Sequence, residues 1–169
     1  MKTVIAALAA VMLAPAAWAE DVVVDMQHDV SHGGGHGEHM VDQITDPGAT
    51  AATGMFSFQP SVLRLEPGDK MVVLNSTGEH TVHSVPQLWP EDREPVKISN
   101  TPRTEVAFET PGVYGFRCAR HGLYGMTLLV VVGDGGGVTD ISEQIEAMRA
   151  GAKEKAAFRR LFQEYLDGR

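Results

Sequence analysis

The sequence predicts a mainly β fold: a Greek-key β-sandwich with two C-terminal helices and a flexible, His-rich N-terminal arm. Short β-branched or aromatic runs recur between residues 53 and 133, turn signals separate them, and helical periodicity begins after GDGGG. About seven short strands at this spacing are typical of a β-sandwich. The runs are MFSFQ, VLRLE, KMVVLN, HTVHSV, EVAFET, VYGFR and MTLLVVV, and the turn signals are EPGD, NSTGE, NTPR and TPG.

The first segment, residues 1–19, has the pattern of a secretory signal peptide. MKTVIAALAAVMLAPAAWA combines a basic Lys2, an apolar run and a small-residue ending, so we expect cleavage after Ala19 and export to the periplasm. The whole chain has a formal net charge of −8, and loss of Lys2 makes the mature chain one unit more negative. Nucleic acid is therefore an unfavourable partner. We expect a monomer that does not insert into a membrane.

Residues 20–52 read as a mobile arm that can gain a strand near HMVDQI, because they are rich in Gly, Asp and His and have little apolar periodicity. Histidine-rich tracts can bind copper, nickel or zinc. A solvated linker with incidental histidines is at least as good an interpretation, since ordering a Gly-rich segment costs entropy. The histidines of a possible auxiliary metal site are His28, His32, His36 and His39.

Residues 134–169 predict a helical extension packed on the sandwich, which itself spans residues 53–133. Asp140 followed by Glu143 resembles a capping box. One helix face then carries Ile141, Ile145 and Met148, and a second helix carries an apolar stripe of Phe158, Leu161, Phe162 and Tyr165. Such stripes most often pack on a sheet, so we assign the extension a structural role.

The stretch CARHGLYGM, between two predicted strands, carries the only cysteine of the chain, Cys118. A single cysteine in an oxidising compartment can be a dimer link, a buried thiol, a nucleophile or a metal ligand. His121 and Met126 in the same loop add an imidazole and a thioether. Two histidines and a cysteine with a weak axial methionine form a blue-copper site, so a second histidine is required from elsewhere.

That second histidine is His80 or His83, both in GEHTVHSV. Residues three apart in an extended strand point to opposite faces, so only one of them can reach the metal. Spacing alone does not decide between them.

The spacing C-x2-H-x4-M at Cys118, His121 and Met126 resembles the cupredoxin family, and within it the pseudoazurins. A strand ending in VVVGD before two helices is similar to that subfamily, as are FQP, PGDK and HTVHSV. The resemblance implies one type 1 copper ion with His80 as the fourth ligand and His121 as a solvent-facing electron port. It also implies single-electron transfer rather than an enzyme activity, with partners such as a periplasmic cytochrome c or a copper nitrite reductase.

Five residues beside these ligands depart from the family pattern, and two of them, Gly122 and Tyr124, replace larger and thioether residues of the loop. Thr81 replaces an asparagine that ties the two ligand loops together, and its hydroxyl can make a similar bond. Arg120 replaces a proline and places positive charge next to the port. Phe56 replaces a methionine, and its ring can stack on His121.

Other functions are compatible with single features of the sequence. A Cys118–His121 nucleophile would make an enzyme, but no oxyanion site is evident and Met126 would be unexplained. Zinc rarely recruits methionine. The His-rich arm favours a different alternative, a periplasmic copper carrier or chaperone.

Overall fold

The computed structural model describes residues 36–168. Within that range the chain forms seven strands and two α-helices, with short 3₁₀ turns at Pro86–Leu88 and Gly122–Tyr124. The strands are β1 Glu38–Thr45, β2 Phe56–Gln59, β3 Val62–Leu65, β4 Lys70–Ser84, β5 Lys97–Ala107, β6 Gly112–Arg117 and β7 Thr127–Val132, and the helices are α1 Ser142–Ala147 and α2 Ala152–Asp167.

The strands pair in the order β2-β1-β4-β6-β7-β3, and β5 pairs with β4 beside this path. The pairs β1·β4 and β3·β7 are parallel, whereas β1·β2, β4·β5, β4·β6 and β6·β7 are antiparallel. The sheet curls into a nearly closed barrel, since its two faces enclose one apolar core. The prediction of a mainly β, Greek-key sandwich with two C-terminal helices is confirmed.

Two predicted turns, NSTGE and NTPR, are wrong, because both segments lie inside long strands. Strand β4 continues through NSTGE, and its register against β5 shifts between Ser76 and Thr81. The turn-like residues create irregularities within the strands: Asn75 and Asn100 have φ of 57° and 55°, in the left-handed region that favours turns. The two irregularities face each other, because Ser76 pairs with Thr101 and Thr81 with Ser99.

Strand β1 lies at HMVDQI, inside the segment expected to form an arm. Its first half pairs with β4, from Glu38 opposite Lys70 to Val41 opposite Val73, and its second half pairs with β2. Val41 is fully buried, so these residues belong to the sheet. The predicted signal peptide, His28 and His32 lie outside the described residues.

Strand β7 joins two apolar clusters because it is buried on both faces. Leu128, Val130 and Val132 point into the core of the barrel. Leu129 and Val131 point outward, where the helices cover them. This double burial explains why TLLVVV is a continuous apolar run rather than an alternating one.

The helices supply the cover for that outer face, as predicted. Ile145 and Met148 around α1, and Phe158, Leu161, Phe162 and Tyr165 on α2, are all buried in the outer cluster. Asp140 accepts hydrogen bonds from the backbone N–H and the hydroxyl of Ser142, at 2.9 and 2.7 Å, so it begins α1 without the reciprocal bond of a capping box. None of the described helices is long and apolar enough to cross a membrane.

Candidate metal centre

His80, Cys118 and His121 meet at one end of the barrel. His80 lies in β4, Cys118 directly follows β6, and His121 lies in the loop before β7. One ligand atom from each residue lies within 4.8 Å of the other two, and all three residues are buried. Among residues 36–168 no other cluster of His, Cys, Asp and Glu meets that criterion.

Backbone hydrogen bonds close the loop that carries Cys118, His121 and Met126. The amide of Gly122 donates to the carbonyl of Cys118 at 2.8 Å, and the amide of Met126 donates to the carbonyl of His121 at 3.2 Å. The amide of Cys118 donates to the carbonyl of Met126 at 3.2 Å, which holds the two ends of the loop together. Gly125 has a φ of 95°, a conformation that a side chain would strain. Met126 is fully buried.

His80 presents one ring nitrogen toward the cluster. Its Nε2 atom lies 2.8 Å from Oγ1 of Thr45, at the end of β1. Its Nδ1 atom is buried and has no hydrogen-bond partner in the described protein. Burial lowers the pKa of His80, although the nearby carboxylates of Glu79 and Asp42 oppose the shift. In the tautomer whose Nε2–H donates to Thr45, the buried Nδ1 carries the free lone pair that a metal ligand requires.

One face of the His121 ring stacks on an aromatic ring, and the residue is less exposed to solvent than the resemblance implied. Phe56 stacks on it with the ring centroids 3.7 Å apart and the planes inclined by 2°. Its Nε2 atom lies 3.6 Å from a carboxylate oxygen of Glu79, and only 6% of the residue is exposed. Two apolar side chains beside it remain open to solvent, Leu123 at 55% and Tyr124 at 40%.

The other ring nitrogen of His121 points at the thiol. Nδ1 lies 3.6 Å from Sγ of Cys118. Burial lowers the pKa of His121, Glu79 opposes this shift, and His80 and Arg120 add to it. Arg120 itself is exposed, as expected for a residue at the rim.

Thr81 ties the two ligand-bearing segments together as the sequence suggested. Its Oγ1 accepts a hydrogen bond from the backbone amide of Ala119 at 2.9 Å and lies 3.8 Å from Sγ of Cys118. The backbone carbonyl of Glu79 lies 3.8 Å from the same sulfur. One hydroxyl of β4 is thus bonded to the residue that follows the thiol.

His83 lies outside this cluster, whereas His80 lies within it. It lines a surface cavity of about 520 Å³ together with Trp89, Lys97 and Arg117. Its strand position is opposite Lys97 on one side and Arg117 on the other. Burial and these two cations lower its pKa.

The described histidines of the arm form no metal-binding cluster. His39 is paired with Asp69, with Nε2 and Oδ2 3.0 Å apart, and the same carboxylate accepts hydrogen bonds from the amides of Gly37 and Glu66. His36 is exposed and lies over Gly68. Asp69 has a lowered pKa: burial opposes the shift, and the two amides and His39 produce it.

Thr45 and Glu79 are functional candidates that the sequence did not reveal. Glu79 immediately precedes His80, which was a usable signal. Thr45 is 35 residues from His80, and nothing in the local sequence marks their contact.

The donor set fits copper. A thiolate and two imidazoles are soft or borderline ligands, and the three converge at one point, while the same loop carries the thioether of Met126. The buried Nδ1 of His80 supports this interpretation, because such an atom is normally paired.

Comparison with known proteins agrees with this donor set. Residues 45–133 match the family model described as copper binding proteins, plastocyanin/azurin family. The pseudoazurin of Methylorubrum extorquens is 41% identical over 81 residues, which are 48% of this chain and 55% of that protein, so the chain spans about half the length of this relative. The pseudoazurin of Paracoccus pantotrophus is 29% identical over 109 residues, which are 64% of this chain and 71% of that protein.

Solved structures extend the similarity to about three quarters of the chain. The crystal structure of pseudoazurin from Methylobacterium extorquens superposes with a TM-score of 0.62 and 32% identity, covering 76% of this chain and 98% of that one. Native pseudoazurin from Hyphomicrobium denitrificans gives 0.62 and 28%, covering 75% and 97%. The cofactor is accordingly one type 1 copper ion. The chain therefore belongs to the plastocyanin/azurin family of copper-binding proteins, as a pseudoazurin-like cupredoxin.

Proposed function

We propose that this protein is an electron carrier that holds its copper between His80, Cys118, His121 and Met126. One observation carries the ligand assignment: the buried Nδ1 of His80 has no hydrogen-bond partner, and His80, Cys118 and His121 bring one ligand atom each within 4.8 Å of one another. Bound copper would supply a one-electron Cu(I)/Cu(II) couple. Cys118 would hold the copper through its thiolate, and Met126, at the end of the same loop, would supply a weaker thioether ligand.

The surrounding protein is suited to a site whose geometry changes little. Thr45 fixes the ring of His80 from the far side, Thr81 fixes the segment after Cys118, and backbone hydrogen bonds close the loop between Cys118 and Met126. Ligands oriented in this way cannot easily rearrange when the charge of the site changes. A small rearrangement favours fast electron transfer, and no proton or substrate has to be bound.

The electron port is the surface over His121. Phe56 covers the ring face, and the exposed side chains of Leu123 and Tyr124 make the neighbouring surface apolar. Exposed charges, Arg120 and Glu79, lie beside the same ring. An apolar contact area with charges at its rim suits a short-lived complex with another redox protein. A cytochrome c or a copper nitrite reductase in the periplasm is the partner class we propose.

A copper titration of the mature protein tests the function. We expect an intense visible absorption band that saturates at one copper per chain and disappears on reduction. Cys118→Ala should remove the band, whereas the matched histidine control His83→Gln should keep it, because His83 lies outside the cluster. A colourless copper complex, or equal loss of the band in both variants, would contradict the proposal.

The copper-carrier alternative has less support. It depends on His28 and His32, outside the described residues, and on His36 and His39, of which His39 already pairs with Asp69. Deleting residues 26–35 leaves β1 intact and separates the two functions. Unchanged copper transfer to an acceptor after this deletion argues against a carrier.

A further inference from the structure

Helix α2 reaches the ligand loop through one buried charge. Glu154, in the first turn of α2, is only 3% exposed. Its Oε1 lies 3.0 Å from Nη1 of Arg117, whose side chain is one third exposed. Arg117 is the residue directly before Cys118. Burying a carboxylate costs free energy unless the carboxylate is paired with a cation. The Arg117–Glu154 pair is therefore a specific structural contact rather than an incidental surface ion pair.

The second oxygen of Glu154 lies against the residue that follows His121. A Cβ atom added to Gly122 would lie 3.4 Å from Oε2 of Glu154 and 3.4 Å from Cβ of Arg117. The ion pair therefore fills the space between the segment before Cys118 and the segment after His121. Gly122 is itself part of the loop's hydrogen bonding, because its amide donates to the carbonyl of Cys118.

The same turn of the helix closes over the other end of the loop. A Cβ atom added to Gly125, the residue before Met126, would lie 3.7 Å from Cβ of Ala157 and 3.8 Å from Cγ of Lys153. Nζ of Lys153 donates hydrogen bonds to the carbonyls of Ala51 and Ala52, at 2.6 and 3.1 Å. The start of α2 thus contacts three segments around the site.

These contacts are separate from those that hold the helix on the sheet. Phe158, Leu161 and Phe162 bury the rest of α2 in the outer apolar cluster. The helix would therefore remain attached if the Arg117–Glu154 pair were lost. What the pair adds is a fixed position for the loop relative to the helix.

We propose that Glu154 is a positioning residue for the copper centre, acting through Arg117 and Gly122 on the loop from Cys118 to Met126. This inference rests on the ligand assignment proposed above. It assigns the C-terminal helix a role in holding the ligand loop in addition to its packing role. Loss of the carboxylate should loosen the loop and leave the Arg117 cation, on the residue before the thiolate ligand, without its partner.

The test compares Glu154→Gln with Glu164→Gln on the same helix. Glu164 is a matched control, since it is exposed and pairs with Arg160 on the surface. Amide hydrogen exchange on the copper-free protein is measured first, at Gly122 and Met126. We expect exchange there to be faster by on the order of tenfold in Glu154→Gln, with amides of β7 unchanged.

The reduction potential and visible spectrum of the copper-loaded variants form the second measurement. Reduction adds negative charge to the site, so removing the buried negative charge of Glu154 should raise the potential, whereas loss of the exposed charge of Glu164 should not. If Glu154→Gln fails to fold, the double variant Arg117→Met with Glu154→Met removes both charges at similar volume and still tests the loop.

Unchanged loop exchange and an unchanged potential in Glu154→Gln would overturn the proposal. In the double variant, which keeps neither charge, unchanged loop exchange alone would overturn it. So would faster exchange spread evenly over β7 and the loop, because that result means general destabilisation. The exchange experiment uses copper-free protein, so its result does not depend on the ligand assignment. An error in the ligand assignment would be detected by the copper titration instead.

Discussion

Thr81→Val removes one hydroxyl that contacts both the amide of Ala119 and the sulfur of Cys118. Valine keeps the shape of threonine but loses the acceptor for the amide of Ala119 and the contact of 3.8 Å with Sγ of Cys118. Ala119 is exposed, so water can replace the first bond. We therefore expect the free energy of unfolding of the copper-free protein to fall by only about 0.5–1 kcal/mol, the low end for a hydrogen bond.

The second contact governs the reduction potential. A donor to the sulfur stabilises the thiolate most in the reduced site, where the sulfur carries more negative charge, so its loss should lower the potential. A hydrogen bond to a charged group contributes about 1.5–3 kcal/mol, and a long contact to sulfur contributes a fraction of that. A difference of about 0.5–1 kcal/mol between the two oxidation states corresponds to roughly 20–45 mV for one electron.

Voltammetry of the copper-loaded protein and urea unfolding of the copper-free protein measure the two effects. Thr77→Val is the control, because Thr77 is exposed on the same strand. It should leave the potential unchanged. An unchanged or higher potential in Thr81→Val would refute the assignment of the hydroxyl as a donor to the thiolate, and an equal shift in Thr77→Val would show that the effect is not local.

Two further predictions concern stability. Burial, Lys97 and Arg117 lower the pKa of His83 in the folded protein. The unfolded chain takes up a proton at His83 near the ordinary histidine pKa of 6.5, whereas the folded protein does not. The free energy of unfolding therefore decreases as the pH falls below that value. Copper-free His83→Gln should lose less free energy of unfolding between pH 7 and pH 5 than the parent in parallel urea titrations, and an equal or greater loss would contradict this reasoning. Gly115→Ala would place a Cβ 2.8 Å from Leu88 and 3.2 Å from Phe158, and the overpacking should lower the free energy of unfolding by about 1–3 kcal/mol in the same assay. No measurable change would mean that Leu88 moves aside freely.

Local sequence was sufficient wherever one segment carried the information. The loop from Cys118 to Met126 holds three predicted ligands within nine residues, and the apolar stripe of α2 predicts its buried face. The long strands β4 and β5 could not be predicted, because Asn75 and Asn100 have turn chemistry but form irregularities within a sheet. Only the pairing of β4 with β5 shows that these asparagines lie within strands and not in turns between strands.

Contacts between distant segments were also beyond local reasoning. From the sequence, Glu154 is an ordinary acidic residue in the first turn of a helix, where its negative charge interacts favourably with the helix dipole. Its burial becomes evident only when Arg117, 37 residues earlier, lies beside it. The cover of His121 by Phe56 could be anticipated from the resemblance, whereas the carboxylate of Glu79 at its other nitrogen could not.

The double burial of β7 affects how the protein must be made. Leu129 and Val131 need α1 and α2 as cover, and the ribosome delivers both helices after the strand. During synthesis an almost complete barrel therefore carries an uncovered apolar stripe on its outside, next to β3 at the sheet edge. Such a stripe is an aggregation hazard until α2 arrives. Shortening α2 should therefore reduce the yield of soluble protein, because the apolar stripe of β7 would stay uncovered.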